Sequence, residues 1–149
     1  MPLKIVQFLA LTLTALAWVP SGAHLFALPN KINLAAEQYF IVQNTYRGWS
    51  LFGVALIGAL IANLALALLL RGRGAPFVLA LFAFLCIALT LVVFFIWTYA
   101  ANQATNNWMM IPDNWEQLRR EWEYSHAANA VVTFAALCSL TLSVLTTRE

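Results

Sequence analysis

Charge is what this chain has least of. Lys, Arg, Asp and Glu make up 9% of its 149 residues, against a hydrophobic share of 62%. Soluble domains carry about 25% charged residues. Eight basic and six acidic side chains cannot cover a water-borne globule of this size, which excludes a soluble domain. The apolar content equally excludes a disordered chain. A formal net charge of +2 is too small and too dispersed to neutralise a phosphate backbone, so nucleic acid is excluded as a partner. Cysteine is scarce as well. Cys86 and Cys138 are the only two, and without a CxxC there is no thiol-redox motif. An integral membrane protein remains.

The uncharged runs mark its spans. At ~1.5 Å of rise per residue, about 20 apolar residues cross a bilayer core of ~30 Å. Four such runs are present, at about 5–28, 49–70, 76–100 and 126–146. They leave no room for a second domain, so residues 1–149 form one transmembrane domain with outer loops at 29–48 and 101–125. The first run has a signal-peptide flavour, with Lys4 in front and Ser21-Gly22-Ala23 behind. Its apolar stretch exceeds a typical h-region, and it reads as a retained helix. Arg71-Gly72-Arg73-Gly74, followed by Pro76, suits a tight helical hairpin. The expected fold is all-α: an up-down-up-down four-helix transmembrane bundle with a small outer cap.

Lys4, Arg71, Arg73 and Arg148 crowd the short segments on one side, against Glu149 alone. That density places both termini in the cytoplasm, in a bacterial inner membrane, with both long loops outside. Lipid gives helices little hydrophobic drive to associate, so small residues should mark the contacts. Ala55, Gly58, Ala59 and Ala62 offer them on the second helix, with Asn63 as polar glue; Ala135, Ser139 and Ser143 offer them on the fourth. The third helix is apolar in nearly every direction and is expected to meet the most lipid. Cys86 and Cys138 lie near mid-span and are expected at one depth.

Tryptophan is missing from the cytoplasmic side. Trp49, Trp97, Trp108, Trp115 and Trp122 all fall on the outer side, with both histidines, His24 and His126. An aromatic belt would line both interfaces, so the asymmetry points to a folded outer cap or pocket. Asp113-x-x-Glu116 after Pro112 resembles a capping box, and no breaker follows, so one helix should run over 114–146. On it Trp115, Arg119, Trp122, His126 and Asn129 share a stripe. Arg119 and Glu123, four apart, are spaced to pair. Asn33 is expected to cap a short helix ending at Gln43, and Pro20 to loosen the first helix ahead of His24. The run Asn102, Gln103, Thr105, Asn106, Asn107 is either a pocket lining or a solvated loop.

Four segments carry a resemblance: Gly22-Ala23-His24-Leu25-Phe26-Ala27-Leu28-Pro29-Asn30-Lys31, Tyr46-Arg47-Gly48-Trp49, Ala101-Asn102-Gln103-Ala104-Thr105-Asn106-Asn107-Trp108, and the stretch from Trp115 to Asn129. Together they resemble a broad, largely uncharacterised bacterial family of small four-helix membrane proteins grouped with fungal anthrone oxygenases. The correspondence is best at the Asn, Trp and Arg positions of the outer loops. The resemblance implies oxidation of a lipophilic aromatic without an added cofactor.

Such chemistry needs a base near neutrality, which suits a histidine, and donors for the resulting oxyanion. His126 is the candidate base, Arg119 and Asn129 the candidate donors. His24, Asn30, Arg47, Trp97, Asn102, Trp108, Trp122 and Glu123 are candidate pocket residues. The same side chains also read as the internal fastenings of a cap. The alternative chemistry is a metal or haem site: non-haem iron on His24, His126 and Glu123, or a bis-histidine haem b. A third reading is non-enzymatic: a small-molecule-binding protein, or an accessory subunit that meets a membrane partner or a second copy through its apolar surface. Ion transport is disfavoured, because no Asp, Glu, Lys or Arg sits within a span.

Overall fold

The computed structural model describes residues 2–147. Arg148 and Glu149, on which part of the orientation argument rests, lie outside them. The chain is all-α, and four of its helical stretches are long and apolar enough to cross a membrane. Helix α1 is Pro2–Lys31 and α2 is Ala36–Gln43. Two 3-10 turns, Asn44–Tyr46 and Trp49–Leu51, lead into α3, Phe52–Leu69. Helix α4, Ala75–Val93, continues through a π-helical turn, Phe94–Thr98, into α5, Tyr99–Ala104. Helix α6 is Trp115–Thr146.

The bundle is a closed square in which α1 packs on α3, α3 on α4, α4 on α6 and α6 on α1. Each helix is thus antiparallel to both neighbours. The link after α3 reverses the chain through Gly72 at φ +83° and Gly74 at φ +65°, a conformation that costs a residue with a Cβ roughly 1–2 kcal/mol.

Small residues do bring the helices together. Ala59, Ala62, Leu66 and Ala67 of α3 are buried against Ala10 and Ala17 of α1. A Cβ on Gly58 would stand 3.2 Å from Leu13 Cδ1. Asn63 donates to Thr14 Oγ1 at 3.1 Å, and Trp18 Nε1 donates to the Ala130 carbonyl at 3.0 Å. Helix α4 departs from the expectation of an all-round lipid face. Pro76, Ala80, Ala83, Ile87 and Thr90 form a buried stripe on it. Spacings of four and three residues keep those positions on one face, and α6 lies along it. Three polar side chains of α6 donate to carbonyls of α4: Ser143 to Pro76 at 2.7 Å, Ser139 to Leu79 at 2.9 Å and Asn129 to Thr90 at 3.2 Å. The cysteines face different ways, Cys86 inward and Cys138 outward, both as free thiols.

Several boundaries shift. Helix α1 continues through Pro20 and Pro29 to Lys31, three residues beyond the expected span. Helix α2 begins at Ala36, and its N-cap, Ala35, makes no side-chain cap bond. Helix α6 begins at Trp115 behind Asn114, again without a side-chain cap bond, so no Asp113–Glu116 capping box forms.

Candidate functional site

Where α1 and α6 leave the apolar bundle they carry polar groups into its outer end, and the cap closes over them. His24 and Lys31 are seven residues apart on α1. That is two turns, so they share a face. Trp122, Glu123 and His126 answer from α6. Helix α2 brings Tyr39, and the 3-10 turns bring Tyr46 and Trp49.

A buried ion pair is the core of the arrangement. Lys31 Nζ lies 2.9 Å from Glu123 Oε2, with the two side chains 4% and 0% exposed. Tyr39 donates its hydroxyl to Glu123 Oε1 at 2.9 Å. Lys31 Nζ is also 3.2 Å from His24 Nδ1. An ammonium has donors only, so His24 Nδ1 must accept, and the His24 ring proton sits on Nε2. The ammonium faces the Tyr46 ring at 4.9 Å and the Trp122 ring at 5.4 Å, where ring quadrupoles add to its stabilisation.

The His24 ring is packed by Tyr46 at 4.2 Å, Trp49 at 5.8 Å, Trp122 at 4.7 Å and His126 at 4.2 Å between centroids. His126 lies 4.3 Å from Trp122. Its Nε2 is shut off from solvent and has no hydrogen-bond partner. Outside the spans, Tyr39 is held protonated: burial first, then the Glu123 carboxylate, push its phenol well above the ordinary value.

The cap is an aromatic stack around one amide. Asn102 Oδ1 accepts from Trp108 Nε1 at 3.0 Å and from Trp122 Nε1 at 2.9 Å. To bring Trp108 there, Asn106, Asn107 and Trp108 adopt left-handed backbone at φ 48°, 54° and 63°. That is a strained run for side-chain-bearing residues. It is clamped by Asn107 N to the Asn102 carbonyl at 2.7 Å and Trp108 N to Thr105 Oγ1 at 3.0 Å. Arg119 donates to the Leu34 carbonyl and stacks 4.5 Å over Trp115.

Of the residues singled out by sequence, His24, His126, Trp122, Glu123, Asn102 and Trp108 come together. Arg119 lies one α6 turn further out, in the cap. Glu123 pairs with Lys31 and not with Arg119. Asn129 commits its amide N–H to α4. Three residues do not join. Asn30 is exposed, because it is one residue and therefore ~100° around the helix from Lys31. Arg47 is exposed and donates to Asn44 within its own turn. Trp97 faces outward while its neighbour Thr98 bonds Ser125. Sequence reading missed Lys31, Tyr39 and Tyr46. The seven-residue spacing of His24 and Lys31 was the available signal, masked by Pro29.

His24, His126 and Glu123 converge, yet among the described residues no group of three or more His, Cys, Asp or Glu side chains is placed to hold a metal. The Glu123 carboxylate is taken by Lys31 and Tyr39, and His24 turns Nδ1 to the ammonium. No family model matches the chain, nor does any curated protein or solved structure.

Proposed function

We propose that this is an enzyme of the bacterial inner membrane, with both termini cytoplasmic, that resembles the anthrone oxygenases and oxidises a lipophilic hydroxy-aromatic at its outer end without an added cofactor. The observation that carries the reading is His126 Nε2: a buried, unpartnered imidazole nitrogen beside the ring face of Trp122. A buried polar atom left without a partner costs about 1–3 kcal/mol, and an acidic substrate proton would satisfy it.

In the proposed reaction His126 Nε2 takes a proton from the activated CH2 flanked by the aromatic rings. Trp122 walls the ring system, and the Lys31 ammonium is the cation nearest the developing negative charge. The carbanion carbon forms a bond to O2, and the resulting peroxide anion recovers the proton from His126. The hydroperoxide then loses water across its C–H and O–O bonds and leaves a ketone. One O2 is reduced, one CH2 becomes C=O, and one water leaves. Access runs past Tyr46 and Trp49, which ride on short 3-10 turns either side of Gly48.

The test is O2 consumption with anthrone in detergent. His126→Gln should lower turnover by about 10²–10⁴-fold, the range for loss of a general base, with helix content and Tm retained. An unchanged rate in a folded H126Q protein rejects the mechanism. The competing iron or haem reading has less support, since the carboxylate it needs is already paired with Lys31. A haem band in the visible spectrum of purified protein would reverse that preference.

A further inference from the structure

We infer that a groove between the π-helical turn and α6 is a binding site for one anionic phospholipid, separate from the histidine cluster and independent of the oxygenase reading. The groove has a volume of about 480 Å³ and is walled by Val93, Trp97, Tyr124, Ser125 and Ala128, with Arg120 at its rim. That volume falls within the range of ~300–1,000 Å³ usual for small-molecule sites.

Its depth follows from two facts. Thr98 and Ser125 hydroxyls are 2.7 Å apart, which fixes the π-helical turn and α6 at one level. The last formal charge on α6 before its C-terminal end is Glu123, whereas the other helix is free of charge throughout this stretch. The groove therefore straddles the outer membrane boundary, with carbon walls below and Arg120 above. Its surroundings, Val92, Phe95, Ile96 and Val131, are exposed apolar side chains of the kind that bilayer chains cover.

Charge selects the headgroup. Arg120 makes no ion pair among the described residues. The adjacent Glu121 is drawn away by the Gln117 amide, which donates to it at 2.7 Å. A free guanidinium at headgroup level, with a planar fork of donors, matches a phosphate. The π-helical turn makes the groove by widening the helix against α6, and such turns recur at functional sites.

Native mass spectrometry of the full chain, released from vesicles of equal phosphatidylglycerol and phosphatidylcholine, tests this. Wild type should retain one lipid, with phosphatidylglycerol favoured about fivefold, as expected for one interfacial cation. Arg120→Gln should bring that preference near unity, and Ala128→Phe, which fills the groove, should lose both lipids. Arg47→Gln, another exposed outer arginine, should leave the preference intact. The inference is overturned if R120Q retains the preference, if R47Q abolishes it equally, if inorganic phosphate displaces the lipid, or if a second copy of the chain occupies this face instead.

Discussion

Lys31 and Glu123 are joined at 2.9 Å across the outer end of the bundle, one from the last turn of α1 and the other from the third turn of α6. The pair ties together two helices separated by most of the sequence. Removing one partner of a buried pair typically costs about 3–5 kcal/mol, because the other charge is stranded, while replacing both is far milder. Lys31→Met and Glu123→Gln should each lower stability within that range. The double variant should lose less than the sum, with a coupling of roughly 0.5–3 kcal/mol. Chemical unfolding in detergent measures it, and strictly additive losses would contradict the pairing.

Asn102 is the hinge-pin of the cap. Its Oδ1 serves two indoles at once, so Asn102→Leu strands two N–H groups. The expected cost is about 1–3 kcal/mol for each group left buried. Trp108, held in left-handed backbone, should then relax outward. A red shift in tryptophan emission and loss of near-ultraviolet dichroism would report it. An unchanged spectrum would show that the stack holds itself without the amide.

The fold was legible in the sequence because its determinants are one-dimensional. Runs without charge give spans, and Arg71 to Gly74 gives the hairpin. The stripe Trp115, Arg119, Trp122, His126 could be read off α6 because helical period is a local rule. The partners of that stripe could not be. Nothing local says that Glu123 will choose Lys31, some ninety residues away, over Arg119 one turn off. That choice is made by α1 running through Pro29 to carry Lys31 inward. The buried stripe of α4 was hidden differently: Ala80, Ala83 and Thr90 lie among equally apolar Leu and Phe, so hydropathy carries no contrast, and only residue size does.

Side-chain donors from α6 to α4 carbonyls should stabilise the bundle modestly. Interhelical bonds of this kind average about 0.6 kcal/mol and reach about 1.7. Ser143→Ala and Ser139→Ala should each fall in that range. Thr141→Ala should stay within about 0.5 kcal/mol of wild type, because Thr141 is exposed and bonds only Leu137 of its own helix. Equal losses at all three positions would deny the rungs a special role.

The proposed orientation is testable with single cysteines in a Cys86→Ala, Cys138→Ala background. Gln38 and Arg71 are both exposed, on opposite ends of the bundle. A membrane-impermeant maleimide should label Gln38→Cys in intact cells with the outer membrane permeabilised. It should reach Arg71→Cys only after the inner membrane is opened. The reverse pattern would invert the topology and place the histidine cluster at the cytoplasmic face.

Tyr39 supplies a pH signature for the closed cap. Its phenol is raised above the ordinary value by burial and by the Glu123 charge. Below a pH of about 10 both folded and unfolded states keep the proton, and the Tyr39 contribution is fully present. Above that pH the unfolded chain releases the proton while the folded chain retains it. Stability therefore falls as pH rises, by up to ~1.36 kcal/mol per unit. Tyr39→Phe lacks this titration. It should be less stable than wild type near neutrality by about 1.5–3 kcal/mol, the worth of a hydrogen bond to a charged acceptor, and the gap should narrow as pH climbs past 10. Unfolding curves of both proteins between about pH 8 and pH 11 provide the comparison. Shared lysine and arginine titrations cancel in the difference. A gap that stays constant across the range would mean that Tyr39 ionises as freely as an exposed tyrosine, and that the cap does not seal the Lys31–Glu123 pair from water.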